Sequence, residues 1–366
     1  MQNPARSGLM GSAWKPIQMK VSKRNLNFIL ISVLMFSISW PGAHGASEAK
    51  RAAFLKAIER PKVPLNPTTR TLPETNGLTQ IHFTFASESQ ERVTGLLLKR
   101  SRSQGRRPVV IVLHGTGSNK EAQLSHLQEL AKKDFAAVSI DGRYHGERSR
   151  SGRGNDEYLE AIVRRYRTGQ ERPFLYDTVW DVLRLIDYLE TRDDVDAKRI
   201  GVIGFSKGGM ETYLAAAVDS RIAVAVPCIG VQSFRWALDN NAWQSRVQSI
   251  QNAVNAAAKD AGVTAIDAAF VRKFYDSVVP GIYGEFDGPA MLPLIAPRPL
   301  LVINGDSDAR TPLPGVQECA EAARLAYASA AAKDRFDLLI QEKTGHQVTV
   351  ESLRTAVDWF VRWLNP

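Results

Sequence analysis

From residue 80 onward, short apolar runs and longer amphipathic stretches take turns along the chain. Ile81–Phe85 and Val93–Leu98 read as an opening pair of antiparallel strands. Val109–Leu113 is apolar without a break, which predicts a central strand buried on both faces. Glu121–Lys133 reads as a helix and Ala136–Ile140 as the next strand. Within Leu175–Glu190, the residues Val179, Val182, Leu183, Ile186 and Leu189 recur at helical spacing. Ile200–Phe205, Ile222–Ile229, Leu300–Asn304 and Phe336–Ile340 supply four more strands, and Val350–Leu364 a closing helix. Repeated strand–helix units predict an α/β protein: a mostly parallel eight-stranded sheet with helices on both faces.

Two connections are longer than a strand–helix turn requires. Arg143–Pro173 follows the strand that ends near Asp141, and Gln232–Pro297 follows the strand that carries Cys228. Both leave from C-terminal strand ends, where open α/β sheets bind ligands. The second contains helical runs and the aromatics Phe234, Trp236, Trp243, Phe270, Phe274 and Tyr275, so residues at about 232–297 are expected to form a helical cap over a pocket. The alternative is a helical insertion packed without substrate contact. The first contains eight arginines, from Arg143 to Arg172, which could draw an acidic substrate or surface. Glu147, Asp156, Glu157, Glu160 and Glu171 are interspersed, which favours a solvated charged face.

The region before residue 80 divides in two. Residues 47–79 hold a short helical stretch, Glu48–Glu59, followed by Pro61, Pro64, Pro67 and Pro73, and read as an exposed lead-in to a domain over 80–366. In residues 1–46, Lys20, Lys23 and Arg24 precede the apolar stretch Phe28–Trp40, and small residues follow. Basic flank, apolar middle and small-residue end make a secretory signal pattern. An uncleaved anchor holding the chain to a membrane through 28–40 is one alternative, and an organelle transit peptide is another.

Charge sharpens that division. The chain of 366 residues has 47 basic and 38 acidic side chains, net +9. No acid precedes Glu48, whereas Arg6, Lys15, Lys20, Lys23 and Arg24 do, which leaves 42 basic against 38 acidic residues in the remainder. A balance of +4 does not indicate a nucleic-acid binder. Two cysteines, Cys228 and Cys319, exclude a disulfide framework and fit no metal motif.

The candidate chemistry lies where the strands end. Ile200–Phe205 runs into Gly204-Phe205-Ser206-Lys207-Gly208, and a helical stretch begins at once. Strand, sharp turn and helix place a serine at the tip of a nucleophile elbow. A serine hydroxyl needs an imidazole to take its proton and a carboxylate to orient that imidazole. His346 follows the strand Phe336–Ile340, and Asp308 follows Leu300–Asn304, with Asp306 as the rival acid. The order Ser206, Asp308, His346 is that of a triad built on this fold. His114-Gly115-Thr116-Gly117 follows the central strand, so the amides of Thr116 and Lys207 are the expected oxyanion donors, with His114 bracing the loop. No Gly-x-Gly-x-x-Gly or Walker pattern is present, and the chemistry calls for no cofactor and no metal.

These segments, together with Asp141-Gly142-Arg143-Tyr144-His145-Gly146-Glu147-Arg148-Ser149 and Asp308-Ala309-Arg310-Thr311-Pro312, resemble the α/β-hydrolases of the dienelactone hydrolase, acetyl xylan esterase and prolyl oligopeptidase catalytic-domain group. The resemblance spans about residues 80–366. It implies the α/β-hydrolase fold and, by analogy with the oligopeptidase branch, a substrate contact for Arg310, with a surface salt bridge as the alternative. The chain departs from those peptidases in having no room for an N-terminal propeller, and from dienelactone hydrolases in having Ser for Cys. The expected activity is therefore serine hydrolysis of a carboxylic ester through an acyl-enzyme. A small peptidase or amidase with the same residues, and a non-catalytic hydrolase-fold receptor, are the alternatives. The expected partner is a small-molecule ester or a short peptide.

Overall fold

The computed structural model describes residues 41–102 and 105–366. The apolar stretch Phe28–Trp40, and with it the leader, lies outside the described residues. In chain order, the elements up to the elbow are α1 (Pro41–Ile58), β1 (Thr68–Thr71), β2 (Leu78–Glu88), β3 (Glu91–Arg100), β4 (Arg107–Leu113), α2 (Leu124–Lys132), β5 (Ala136–Ile140), α3 (Asn155–Thr168), α4 (Tyr176–Glu190) and β6 (Val195–Phe205). After it come α5 (Lys207–Val218), β7 (Ile222–Cys228), five short helices α6 (Phe234–Asp239), α7 (Gln244–Val247), α8 (Gln251–Asp260), α9 (Ala268–Val278) and α10 (Gly288–Met291), then β8 (Leu300–Gly305), α11 (Leu313–Ser329), β9 (Phe336–Gln341) and α12 (Val350–Leu364).

The strands form one sheet in the order β1-β2-β3-β5-β4-β6-β7-β8-β9. β1, β2, β3 and β5 pair antiparallel in turn, and every pair from β5–β4 to β8–β9 is parallel. Alternation along a strand sends neighbouring side chains to opposite faces. In β4, Val109, Ile111 and Leu113 enter the core shared with α3, α4, α5 and the α6–α10 insertion, while Val110 and Val112 enter the core under α2 and α12. That double burial is why this stretch carries no polar residue.

The sheet has nine strands, one more than the pattern predicts. The extra strand, β1, is Thr-Thr-Arg-Thr, exposed throughout, and pairs Thr68–Thr71 with Ile81–Thr84. An exposed edge of four residues has no apolar face to betray it. The lead-in is also not simply exposed. α1 begins at Pro41, ahead of the expected Glu48, and Phe54 and Ile58 are fully buried. Phe54 sits edge-on to Tyr176 at 5.2 Å and to Phe286 at 5.0 Å, and Arg51 Nε donates to the Ala217 carbonyl at 3.1 Å.

The arginine-rich connection divides. Arg150, Arg153, Arg164 and Arg167 are exposed, but Arg143 and Arg148 are buried on Asp181 of α4, at 3.0 and 2.7 Å. Asp181 is wholly buried. Burial alone would raise its carboxyl, but the two guanidiniums outweigh that and hold it at about 2. A solvated face is therefore wrong for these two residues. Among the described residues, no helix is long and apolar enough to cross a membrane.

Candidate active site

β6 ends at Phe205, and Ser206 takes φ 55°, ψ −114° before α5 starts at Lys207. A non-glycine residue is strained there, and the surrounding glycines make the turn sterically feasible. A Cβ on Gly204 would lie 2.2 Å from the Gly208 carbonyl oxygen, and one on Gly208 would lie 2.3 Å from that of Leu113. The Ser206 amide donates to the Cys228 carbonyl at 3.0 Å, which ties the turn to β7.

Ser206 Oγ is 2.8 Å from His346 Nε2, and His346 Nδ1 is 2.8 Å from Asp308 Oδ2. The carboxylate fixes the tautomer: Nδ1–H donates to Asp308, and Nε2 is left to accept from the serine. Asp308 also accepts from the amides of Arg310 and Thr311 at 2.8 and 3.2 Å, and from Thr311 Oγ1 at 2.6 Å. Burial would raise this carboxyl, but the donors, His346 first, hold it below the usual carboxylate range. Asp306 does not touch His346. It accepts from the Lys343 and Thr344 amides and from Ser307 Oγ, joining the loops that follow β8 and β9.

The loop after β4 lies against the elbow, with a Cβ built on Gly115 coming 3.5 Å from that of Ser206. Two neutral histidines hold this loop to the one after β5. His114 Nδ1–H donates to its own loop at the Gly115 carbonyl, at 2.8 Å, and Nε2 accepts from the Gly142 amide at 2.9 Å. His145 Nδ1–H donates to the Arg143 carbonyl at 2.7 Å, and Nε2 accepts from the Gly117 amide at 3.1 Å. Burial first, then the Lys207 ammonium, pushes His114 down to about 3 and His145 to about 2. Each ring stays neutral, as a clamp that both donates and accepts must. Asp141 completes the joint, accepting from the Lys120 amide at 2.9 Å, Lys120 Nζ at 2.7 Å and Thr94 Oγ1 at 2.9 Å. The Lys207 side chain turns inward to Glu211 at 2.7 Å, so only its backbone N–H is left to serve as an oxyanion donor. His145 and Lys120 escape sequence reasoning because their partners lie in a different loop.

Ser206 and His346 open into a cleft lined by Phe174, Met210, Gln232, Arg246, Tyr275 and Arg310, among others. Its far wall comes from α7 and α9 of the insertion between β7 and β8. Arg310 is exposed, and its carbonyl accepts from the Arg246 guanidinium. Arg246 and Gln232 bear no local motif that marks them. Among the described residues, no group of three or more His, Cys, Asp or Glu side chains is placed to hold a metal ion.

Fold and site define an α/β-hydrolase. The model of the family described as "Glucuronyl esterase, fungi" matches residues 86–331, two thirds of the chain, and the chain belongs to that family. It is a carboxylic ester hydrolase. The 4-O-methyl-glucuronoyl methylesterase of Thermothelomyces thermophilus is 27% identical over 200 residues, which cover 53% of this chain and 47% of that enzyme. Two solved structures share the fold. Acetyl xylan esterase 1 from Thermoanaerobacterium sp. JW/SL YS485 has a TM-score of 0.63 at 17% identity, covering 87% of this chain and 93% of that one. Methylesterase BT1017 has a TM-score of 0.63 at 18% identity, covering 88% of this chain and 63% of that one. The chain thus spans less than two thirds of the length of the Thermothelomyces enzyme and of the methylesterase.

Proposed function

We propose that the chain hydrolyses carbohydrate-linked carboxylic esters, of the uronoyl type that the family description names, with Ser206 as nucleophile, His346 as base and Asp308 as the acid that orients it. The single observation that supports the three residue roles most is the unbroken relay at 2.8 Å from Ser206 Oγ to His346 and from His346 to Asp308, while the uronoyl type rests on the family match. Ser206 Oγ attacks the ester carbonyl while His346 Nε2 takes its proton. The amides of Thr116 and Lys207 receive the developing oxyanion, worth about 3 kcal/mol per donor in such sites. The C–O bond to the alcohol breaks, and His346 returns the proton to the leaving oxygen. Water, deprotonated by the same imidazole, then attacks the acyl-serine and releases the carboxylic acid and the free hydroxyl.

The test has two arms. A fluorophosphonate probe should label the protein at one site and fail to label Ser206→Ala. Methyl glucuronate should be hydrolysed faster than acetylated xylan, and aminoacyl naphthylamides should not turn over. Labelling that persists in Ser206→Ala would remove the nucleophile assignment. Turnover of acetylated xylan alone would remove the uronoyl one.

A further inference from the structure

Arg246 is 4% exposed. It sits on α7, in the wall of the cleft that holds Ser206 and His346. Its Nε donates to Ser245 Oγ at 3.1 Å and one Nη to the Arg310 carbonyl, and the Phe234 ring lies 5.2 Å from the guanidinium carbon. Among the described residues, no carboxylate pairs with it and no acceptor takes its Nη1. Asp287 is the carboxylate acting on it from further away, and that group is already committed to the amides of Phe234, Arg235 and Gly288 and to Ser233 Oγ. Burial accordingly lowers the Arg246 pKa, but a guanidinium does not give up its proton in a protein.

A buried cation without a counter-charge is costly unless something supplies the charge. Arg165 and Arg298 also lack a carboxylate, but they spend their donors on two and three backbone carbonyls, and neither lines the cleft. A second orphan faces the same space. Gln232 is 4% exposed, and its Oε1 has no partner, while Nε2 meets only Met210 Sδ at 3.3 Å. Whichever way that amide is turned, neither polar end meets a nitrogen or oxygen partner. The residues lining the cleft include Arg310 as a further cation and no carboxylate.

We propose that the ester cleaved at Ser206 carries a second, free carboxylate, which seats on Arg246, and that Gln232 pairs with a hydroxyl beside it. The substrate class is an anionic hemiester: a compound with one carboxyl esterified and another left free, as in a partly esterified uronide. The unsatisfied guanidinium and amide then become complete only with substrate bound. This inference rests on Ser206 being the nucleophile of an ester hydrolase.

Two matched pairs of esters test it. The acyl-side pair is p-nitrophenyl hemiadipate against p-nitrophenyl heptanoate, and the alcohol-side pair is 4-acetoxybenzoate against 4-acetoxybenzamide. The wild-type protein should prefer the anionic member of at least one pair by about tenfold in kcat/KM, the effect of one charge-assisted hydrogen bond. Arg246→Gln, shown folded by circular dichroism, should bring that ratio to one or below, and Arg246→Lys should keep it above one. Adipate should inhibit the wild-type protein competitively where adipamide does not, a readout that needs no variant. A ratio of one or less in both wild-type pairs, a preference that survives Arg246→Gln, or equal inhibition by adipate and adipamide would each overturn the proposal. Labelling of Ser206 and turnover of the neutral esters report on the ester hydrolase reading separately. If those fail, that reading falls, and not merely the choice of substrate.

Discussion

Arg148 and Arg246 are both buried arginines, and they face opposite situations. Arg148 shares Asp181 with Arg143 inside the domain. Arg246 lies in the wall of the cleft with one hydroxyl and one carbonyl and no carboxylate. The first is a closed circuit that holds the loop after β5 to α4. The second is open towards the nucleophile. Burial alone does not separate structure from function here; the separation lies in whether the counter-charge is built into the chain.

The largest break in that comparison should come at the carboxylate that closes the Ser206–His346 circuit. Asp308→Asn should lower kcat on the order of 10³ to 10⁴, because the imidazole is then held in the wrong tautomer. Asp306→Asn should lower it less than about tenfold, since Asp306 only links two loops. Steady-state rates on a neutral ester decide this, and equal losses at the two aspartates would erase the distinction.

Next in size is Asp181→Asn, which removes the buried carboxylate that two guanidiniums share and leaves them only the half-buried Glu88 and Glu91. It should cost about 3 kcal/mol in urea unfolding. Arg246→Met should cost clearly less, because it removes a cation that has no partner to strand. If both variants lose the same stability, Arg246 is as structural as Arg148.

A pH series on unfolding separates the clamps by window. His114 and His145 are harder to protonate folded than unfolded. The unfolded chain therefore takes protons first, and stability should fall as the pH drops below about 6.5, the unfolded value, and continue falling towards about 3. Asp181 is depressed, so its contribution is complete above the unfolded carboxylate value of about 3.9 and is lost as the pH falls towards about 2. His114→Asn should make the fall in the upper window shallower, with His145 still contributing, and leave the lower one. A melting temperature that stays constant from pH 6.5 to 5 (about the upper part of the window) would show that the clamps can accept protons in the folded chain.

The smallest effect belongs to an exposed arginine at the rim of the Arg148 circuit. Arg150 is exposed and pairs with Glu91 at 2.6 Å. Arg150→Gln should change stability by less than about 0.5 kcal/mol. A larger loss would mean that exposure is a poor guide to this charged connection.

What the sequence revealed follows the same line between local and distant. Strand ends are local features, so the positions of Ser206, Asp308 and His346 could be read from where apolar runs stop. The doubly buried stretch Val109–Leu113 of β4 announced itself by having no polar residue. β1 did not, because its four residues have no buried face. Arg143 and Arg148 looked solvated beside their neighbouring acids, but the residue that buries them, Asp181, is 33 positions beyond Arg148 on another helix. Arg246 and Gln232 carry no spacing or motif at all. Their meaning comes from what they lack, and a missing partner is visible only in three dimensions.

The small edge strand β1 changes how the whole sheet meets other molecules. Without it, the eleven-residue β2 would offer its free backbone edge to any other strand, including a second copy of itself. β1 covers that edge with threonines and Arg70, and Pro67 and Pro73 flank it. A proline cannot donate to a further ladder, so chain-to-chain pairing stops there. Trimming the chain back to residue 78 would remove this stopper along with the buried Phe54 and Ile58. The shortened protein should go into aggregates faster than it loses its fold.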